Sequence, residues 1–135
     1  MQNENGREAP LPRVGQKGDD ILRRLLTFAA GVGKVVDALP DTRMGRHIAG
    51  QLVRCGTSPA PNYSEGRAAE SRDDFCHKLS IALKELRETQ VWLAMICETG
   101  LLPVPRLADV IDECDQLARI PAQSILTAKR NRSSR

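Results

Sequence analysis

This chain of 135 residues is poor in aromatic side chains, which make up only 3% of it and include a single tryptophan and a single tyrosine. Its core therefore has to be built from Leu, Ile, Val and Ala. That composition favours helices, since strands usually draw on β-branched and aromatic residues together. Hydrophobic residues at 41% and charged residues at 27% are ordinary for one folded domain that needs no disulfide or metal.

Long apolar runs are also missing. None approaches the roughly 20 residues that cross a bilayer, and residues 1–18 lack the apolar centre of a signal peptide. We therefore expect a cytoplasmic protein with no membrane partner. Residues 1–18 show no hydrophobic periodicity, so we predict that this N-terminal segment is disordered.

The motifs of common catalytic and cofactor sites are absent as well. The sequence has no Gly-rich phosphate loop, no nucleophile elbow and no His-Glu metal pair, and His47 and His77 are isolated. Four cysteines stand singly, without the close pair that pre-organises a zinc site, and we interpret them as small buried hydrophobic residues: Cys55, Cys76, Cys97 and Cys114. We expect no enzymatic activity, no cofactor, no bound metal and no small-molecule substrate.

Hydrophobic residues recur with the 3.6-residue period of a helix in four stretches joined by short links. This pattern predicts an all-α, antiparallel, up-down-up-down four-helix bundle over residues 19–128, followed by a basic tail at 129–135. The first helix is predicted to be capped by Asp19 or Asp20 and to stop at Pro40. The fourth is predicted to begin near Pro105 and to fray from Lys129 onwards.

The second helix contains the most distinctive stretch of the sequence. Asp41 or Thr42 is its predicted N-cap. Two prolines, Pro59 and Pro61, predict a kink near Ser58, where Thr57 or Ser58 caps a helix that resumes to about Ala69. Asn62 would then point at the core.

The third helix is predicted from Ser71, with Asp74 completing a capping box, to Gly100. Its main apolar stripe suffices for packing inside one subunit. A second apolar group predicts contact with another chain, because Trp and Met are common at interfaces: Ile81, Trp92, Met95 and Ile96. The alternative is that these residues widen the internal face.

Polar residues of the second and third helices are expected to meet, since antiparallel helices joined near residue 70 place them within a few turns. We interpret the cluster as structural, a hydrogen-bonded network that docks the kinked segment: Asn62, Tyr63, Glu65, Lys84 and Glu88. The alternative is an enzyme or small-molecule site using Asn62, Glu65 and the charged residues of the third helix, which would need an open pocket.

Basic residues predict a nucleic-acid surface at two places, the arginines of the second helix and the C-terminal tail. Residues 129–135 carry four cations and no acid, whereas residues 19–128 have two more acidic than basic side chains. Candidate phosphate contacts are the following basic residues: Arg43, Arg46, Arg54, Lys129, Arg130 and Arg132. The alternative interpretation is a solvated helix end.

The middle of the chain resembles the four helix bundle proteins, also called the 23S rRNA-intervening sequence protein family. The resemblance extends from about Ile21 to Ala128. The matching residues are Arg54-Cys-Gly-Thr-Ser, Asn62-Tyr63-x-Glu65, Ala68-Ala-Glu-Ser71, Asp74-Phe75, Lys78-Leu79-Ser-Ile-Ala-Leu-Lys-Glu85, Arg87-Glu88-Thr89 and Trp92-Leu93. Pro61 departs from the family's usual pattern, which carries no second proline before the Asn.

The resemblance implies a four-helix bundle that assembles as a homopentameric ring, with no known enzymatic activity. It also implies an alternative role, because a related branch binds RNA or DNA as an accessory subunit of the reverse transcriptases of diversity-generating retroelements. The partners expected are therefore other copies of this chain and, in the alternative, nucleic acid.

Overall fold

The computed structural model describes residues 18–133, which form an all-α structure without strands in that range. Its helices are α1 (Asp19–Ala38), α2 (Arg43–Thr57), α3 (Pro59–Arg67), α4 (Arg72–Thr99) and α5 (Val104–Ser133). Helices α2 and α3 together correspond to the kinked second helix of the sequence prediction. The predicted disorder of residues 1–17 and the last two residues of the tail lie outside the described residues.

The break between α2 and α3 falls at Ser58, which confirms the predicted position of the kink. The Ser58 N–H still donates to the carbonyl of Arg54 at 3.2 Å, so the helix is intact up to that point. Pro59 follows and has no N–H to continue the ladder. The predicted cap is wrong, because no side chain caps the start of α3.

Two predicted N-caps and one predicted C-terminal stop are confirmed. Thr42 Oγ1 accepts a hydrogen bond from the Gly45 N–H at 3.0 Å, and Ser71 Oγ accepts one from the Asp74 N–H at 3.1 Å. Gly100 ends α4 in the left-handed conformation, with φ 68°, which glycine adopts without strain.

Helix α1 begins differently from the prediction. Gly18 is its N-cap and makes no side-chain hydrogen bond, whereas Asp19 and Asp20 lie within the first turn. The Asp19 carboxylate is instead engaged by Arg67 at the end of α3, with Nη1 and Oδ1 2.9 Å apart. An ion pair between helices has replaced the expected local cap.

Helix α5 is longer than expected. It starts at Val104, continues through the buried Pro121 and reaches Ser133, so the prediction that it frays from Lys129 is wrong. Arg132 forms an ion pair with Asp73 in the first turn of α4, which ties the basic end of α5 to the neighbouring helix.

Helix α4 is the central element of the packing. It lies against α2, α3 and α5, and α1 packs against α2, α3 and α5. The side chains buried most completely are aliphatic, as the composition predicted: Val32, Ile48, Leu52, Leu79, Leu86, Leu93, Ile96, Leu107 and Leu117. Among the described residues, every buried side-chain nitrogen or oxygen has a hydrogen-bond partner.

No helix between residues 18 and 133 is both long enough and apolar enough to span a membrane.

Candidate functional site

Seven residues of α2 and α4 share one surface, which we call the α2–α4 face: Met44, His47, Arg54, Glu85, Glu88, Trp92 and Met95. On α4 they recur at intervals of three and four residues, and on α2 at intervals of three and seven, which places them on a single stripe of each helix. Ion pairs join Arg54 to Glu85 and Glu88, and a ring contact joins His47 to Trp92. The two stripes therefore meet along their length.

Arg54 is the ionic centre of this face. Its Nη1 lies 3.0 Å from Glu85 Oε2, and its Nη2 forms an ion pair with Glu88 Oε2. Burial lowers the pKa of Arg54, but attraction to Glu88 and then Glu85 outweighs that effect and leaves the pKa raised. Arg54 therefore stays charged, and both carboxylates of α4 are matched by a cation from α2.

Trp92 lies beside this ion pair. Its indole Nε1 donates a hydrogen bond to Glu88 Oε2 at 3.1 Å, one helical turn away. The His47 ring meets the Trp92 ring edge to face, with centroids 5.6 Å apart and an interplanar angle of 73°. Aromatic pairs prefer this geometry. Trp92 is half-buried, so part of its ring remains open to solvent.

The second apolar group of α4 is divided by the structure. Trp92 and Met95 are half-buried and pack partly against the core, and Ile81 is half-buried. Ile96 is 0% exposed and belongs wholly to the core of its own subunit. The prediction that Ile96 lies on an assembly surface is therefore wrong. Successive residues of a helix are about 100° apart around its axis, and this step from Met95 directs Ile96 into the core of the subunit.

The polar cluster predicted between the second and third helices does not form as one network. Asn62 Nδ2 donates within its own turn, to Ser58 O at 3.0 Å and to Ser58 Oγ at 2.9 Å, and does not point at the core. Glu65 pairs with Lys78 at 2.8 Å, a partner that the sequence analysis missed. Glu88 lies instead on the α2–α4 face, and Lys84 is exposed.

Tyr63, the remaining member of that predicted cluster, is buried in the core. Burial raises the pKa of its hydroxyl, so the residue is neutral at physiological pH. The kinked segment is therefore docked by a tyrosine ring and by local hydrogen bonds, and helical spacing alone could not have distinguished this arrangement from a shared network.

Two of the four cysteines are buried in the core as neutral thiols. Burial raises the pKa of the Cys55 thiol and raises that of Cys114 to about 12, which keeps both thiols protonated. Cys76 and Cys97 are half-buried. Within residues 18–133 no three His, Cys, Asp or Glu side chains are grouped so that they could hold a metal ion.

The basic residues proposed as phosphate contacts are largely engaged by acids. Arg46 pairs with Asp41 at 2.8 Å, Arg54 with two glutamates, and Arg132 with Asp73. Arg43, Lys129 and Arg130 are exposed. The structure therefore does not bring the six predicted residues together as one unneutralised patch.

Two surface clefts lie away from the α2–α4 face. One, of about 740 Å³, lies where the end of α3 and the start of α4 approach the end of α5, and it includes Arg72 and Phe75. The other, of about 650 Å³, lies between α1 and α5 above Phe28. Neither is lined by Asn62 or Glu65, the residues at which the small-molecule alternative requires a pocket.

The chain is similar to known proteins in both sequence and structure. The family model described as 23S rRNA-intervening sequence protein matches residues 19–123. Among solved structures, a protein of unknown function from the S23 ribosomal protein family of Bacteroides thetaiotaomicron is 28% identical, with a TM-score of 0.73. That match covers 78% of this chain and 97% of the other. No curated protein matches this chain.

Proposed function

This chain belongs to the family of 23S rRNA-intervening sequence proteins, and from that premise we propose that it is a non-enzymatic protein that works as a homo-oligomer. Each subunit is an antiparallel four-helix bundle in which α2 and α3 act as one kinked helix. The pairing of Arg54 with Glu85 and of Glu65 with Lys78 supports this arrangement, since later residues of α2–α3 meet earlier residues of α4. The resemblance described above implies a ring of five copies.

The observation that carries the assembly proposal is that Trp92 is only partly buried. The part of a large aromatic ring that is still in contact with water can be buried by a second copy, and burying apolar surface lowers the free energy. We define the assembly surface as Met44 of α2 together with Ile81, Trp92 and Met95 of α4. Trp and Met are enriched at protein interfaces, and Met44 is 46% exposed.

Nucleic-acid binding is the weaker candidate. Arg46, Arg54 and Arg132 already have carboxylate partners, so binding of a phosphate by these side chains would compete with existing ion pairs. Lys129 and Arg130 are exposed on α5, and such a role would use them together with the other basic residues of this helix end.

The assembly surface is tested by light scattering on a matched pair of variants. Met44→Lys places a charge on the surface, whereas Leu126→Lys places the same charge on a similarly exposed apolar position (57% against 46%) of α5, a helix that does not pack against α2. We expect Met44→Lys to reduce the oligomer to the 14.9 kDa monomer and Leu126→Lys to leave it intact. The opposite pattern would place the assembly surface elsewhere.

A further inference from the structure

A single carboxylate oxygen connects α2 to the only tryptophan of the chain. Glu88 Oε2 accepts the hydrogen bond of the Trp92 indole at 3.1 Å, and the same atom forms the ion pair with Arg54 Nη2. Glu88 and Trp92 are one turn apart on α4, whereas Arg54 lies on another helix. The Glu88 carboxylate thus links the indole to a side chain of another helix.

Arg54 is suited to fix this oxygen because it is held at two points. One nitrogen binds Glu85 at 3.0 Å and the other binds Glu88, and these two carboxylates are one turn apart on α4. The planar guanidinium presents its donors in a rigid fork, whereas a lysine would present a mobile point charge. The fork locks the Glu88 side chain in one position relative to the helix axis.

The indole also contacts His47, again from α2. Two residues of α2 thus determine which part of the Trp92 ring faces solvent: His47 by edge contact, and Arg54 through Glu88. Removing Arg54 would leave His47 as the remaining restraint from that helix.

We infer that Arg54 is a positioning residue for the assembly surface: through Glu88 it sets the orientation in which Trp92 meets a second copy of the chain. This inference rests on the proposed assembly function. Exposed ion pairs contribute little to folding stability, and the Arg54 side chain is 51% exposed. Glu85 is only 14% exposed and loses this partner, so the free energy of unfolding of Arg54→Met is measured with urea, and fluorescence is compared under conditions in which both chains are folded.

Fluorescence tests the positioning directly, because Trp92 is the only tryptophan in the sequence. All variants are compared in the Met44→Lys background, so that they share one oligomeric state. We expect Arg54→Met to increase acrylamide quenching and lower the fluorescence anisotropy of Trp92. The matched control is Arg46→Met, since Arg46 lies on the same helix, is 59% exposed and pairs with Asp41; it should match its parent.

A double-mutant cycle establishes the route through Glu88. If Arg54 acts on the indole only by holding this carboxylate, Arg54→Met should have no further effect on fluorescence once Glu88→Ala has been made. A full additional effect of Arg54→Met in the Glu88→Ala chain would overturn the proposed route.

The consequence for assembly is measured by dilution of the chain with Met44 intact. Without Arg54 the Trp92 side chain would have to be ordered when a second copy binds, which predicts that Arg54→Met raises the dissociation constant by up to about tenfold, with no change for Arg46→Met. Unaltered fluorescence in Arg54→Met overturns the positioning role whatever the mass shows. Altered fluorescence with unaltered assembly overturns the link to the interface. A monomeric wild type overturns the proposed function, and the fluorescence result still decides whether Arg54 orients Trp92.

Discussion

Gly56 of α2 lies so close to Val32 of α1 that a Cβ atom on the glycine would be 2.7 Å from Val32 Cγ1. Real Cβ atoms do not approach another atom so closely, and Val32 is 0% exposed. A β-branched side chain in a packed core has few alternative rotamers. The contact between α1 and α2 therefore depends on the absence of a side chain at position 56.

Overpacking a core costs about 1–3 kcal/mol, and the alanine gains up to about 1 kcal/mol in helix propensity. We therefore expect Gly56→Ala to destabilise the protein by a net ~2 kcal/mol or less. The change is measured as the difference in the free energy of unfolding by urea.

Gly50→Ala on the same helix is the matched control, because a Cβ there meets nothing within 4 Å. It should stabilise the protein by up to about 1 kcal/mol through helix propensity alone. Equal effects of the two substitutions would show that Val32 moves aside, and that α1 and α2 are not held at this separation by Gly56.

Alkaline pH should destabilise the folded chain through Cys114. Burial raises the pKa of this thiol from 9.0 to about 12. Between those values the unfolded chain loses a proton that the folded chain keeps, so the stability present below pH 9 is lost as the pH rises toward 12. The slope is at most about 1.4 kcal/mol per pH unit.

The measurement compares the free energy of unfolding at pH 8 and pH 10 for the wild type and for Cys114→Ala. We expect the wild type to lose about 1 kcal/mol more than the variant over this interval. The subtraction removes the other groups that titrate there, including Cys55, whose pKa is raised in the same direction. Identical losses would mean that the Cys114 thiol ionises as readily in the folded state as in the unfolded one.

Structured RNA should not be retarded by the full chain at roughly 0.15 M salt, because the candidate arginines are partly neutralised by carboxylates. Arg46 and Arg132, for example, each have an acidic partner. Gel retardation at two salt concentrations checks this. Retardation that disappears when residues 129–135 are deleted would instead support the accessory nucleic-acid role.

Local signals in the sequence predicted much of the fold. Thr42 and Ser71 were recognisable as N-caps, Gly100 as a helix end and Ser58 as the site of a break, because each depends on neighbours within a few residues. The start of α1 was mispredicted, since Asp19 is engaged by Arg67, 48 positions away in the chain. No local pattern reports such a partner.

The candidate site was only partly predictable for the same reason. Two apolar stripes on α4 identified Trp92 and Met95, but helical spacing did not separate them from Ile96, which turns into the core. The sequence indicated Arg54 only as a phosphate contact, because its two carboxylate partners lie on another helix and no local pattern links them to it. The link from Arg54 through Glu88 to Trp92 requires the packing of α2 against α4.

The mass of the wild-type protein in solution, measured by light scattering across a micromolar dilution series, tests the central claim most directly. The account predicts a particle several times heavier than the 14.9 kDa chain, with five copies as the proposed number. A particle of 14.9 kDa throughout the series would contradict it, since no second copy would then cover the exposed part of Trp92.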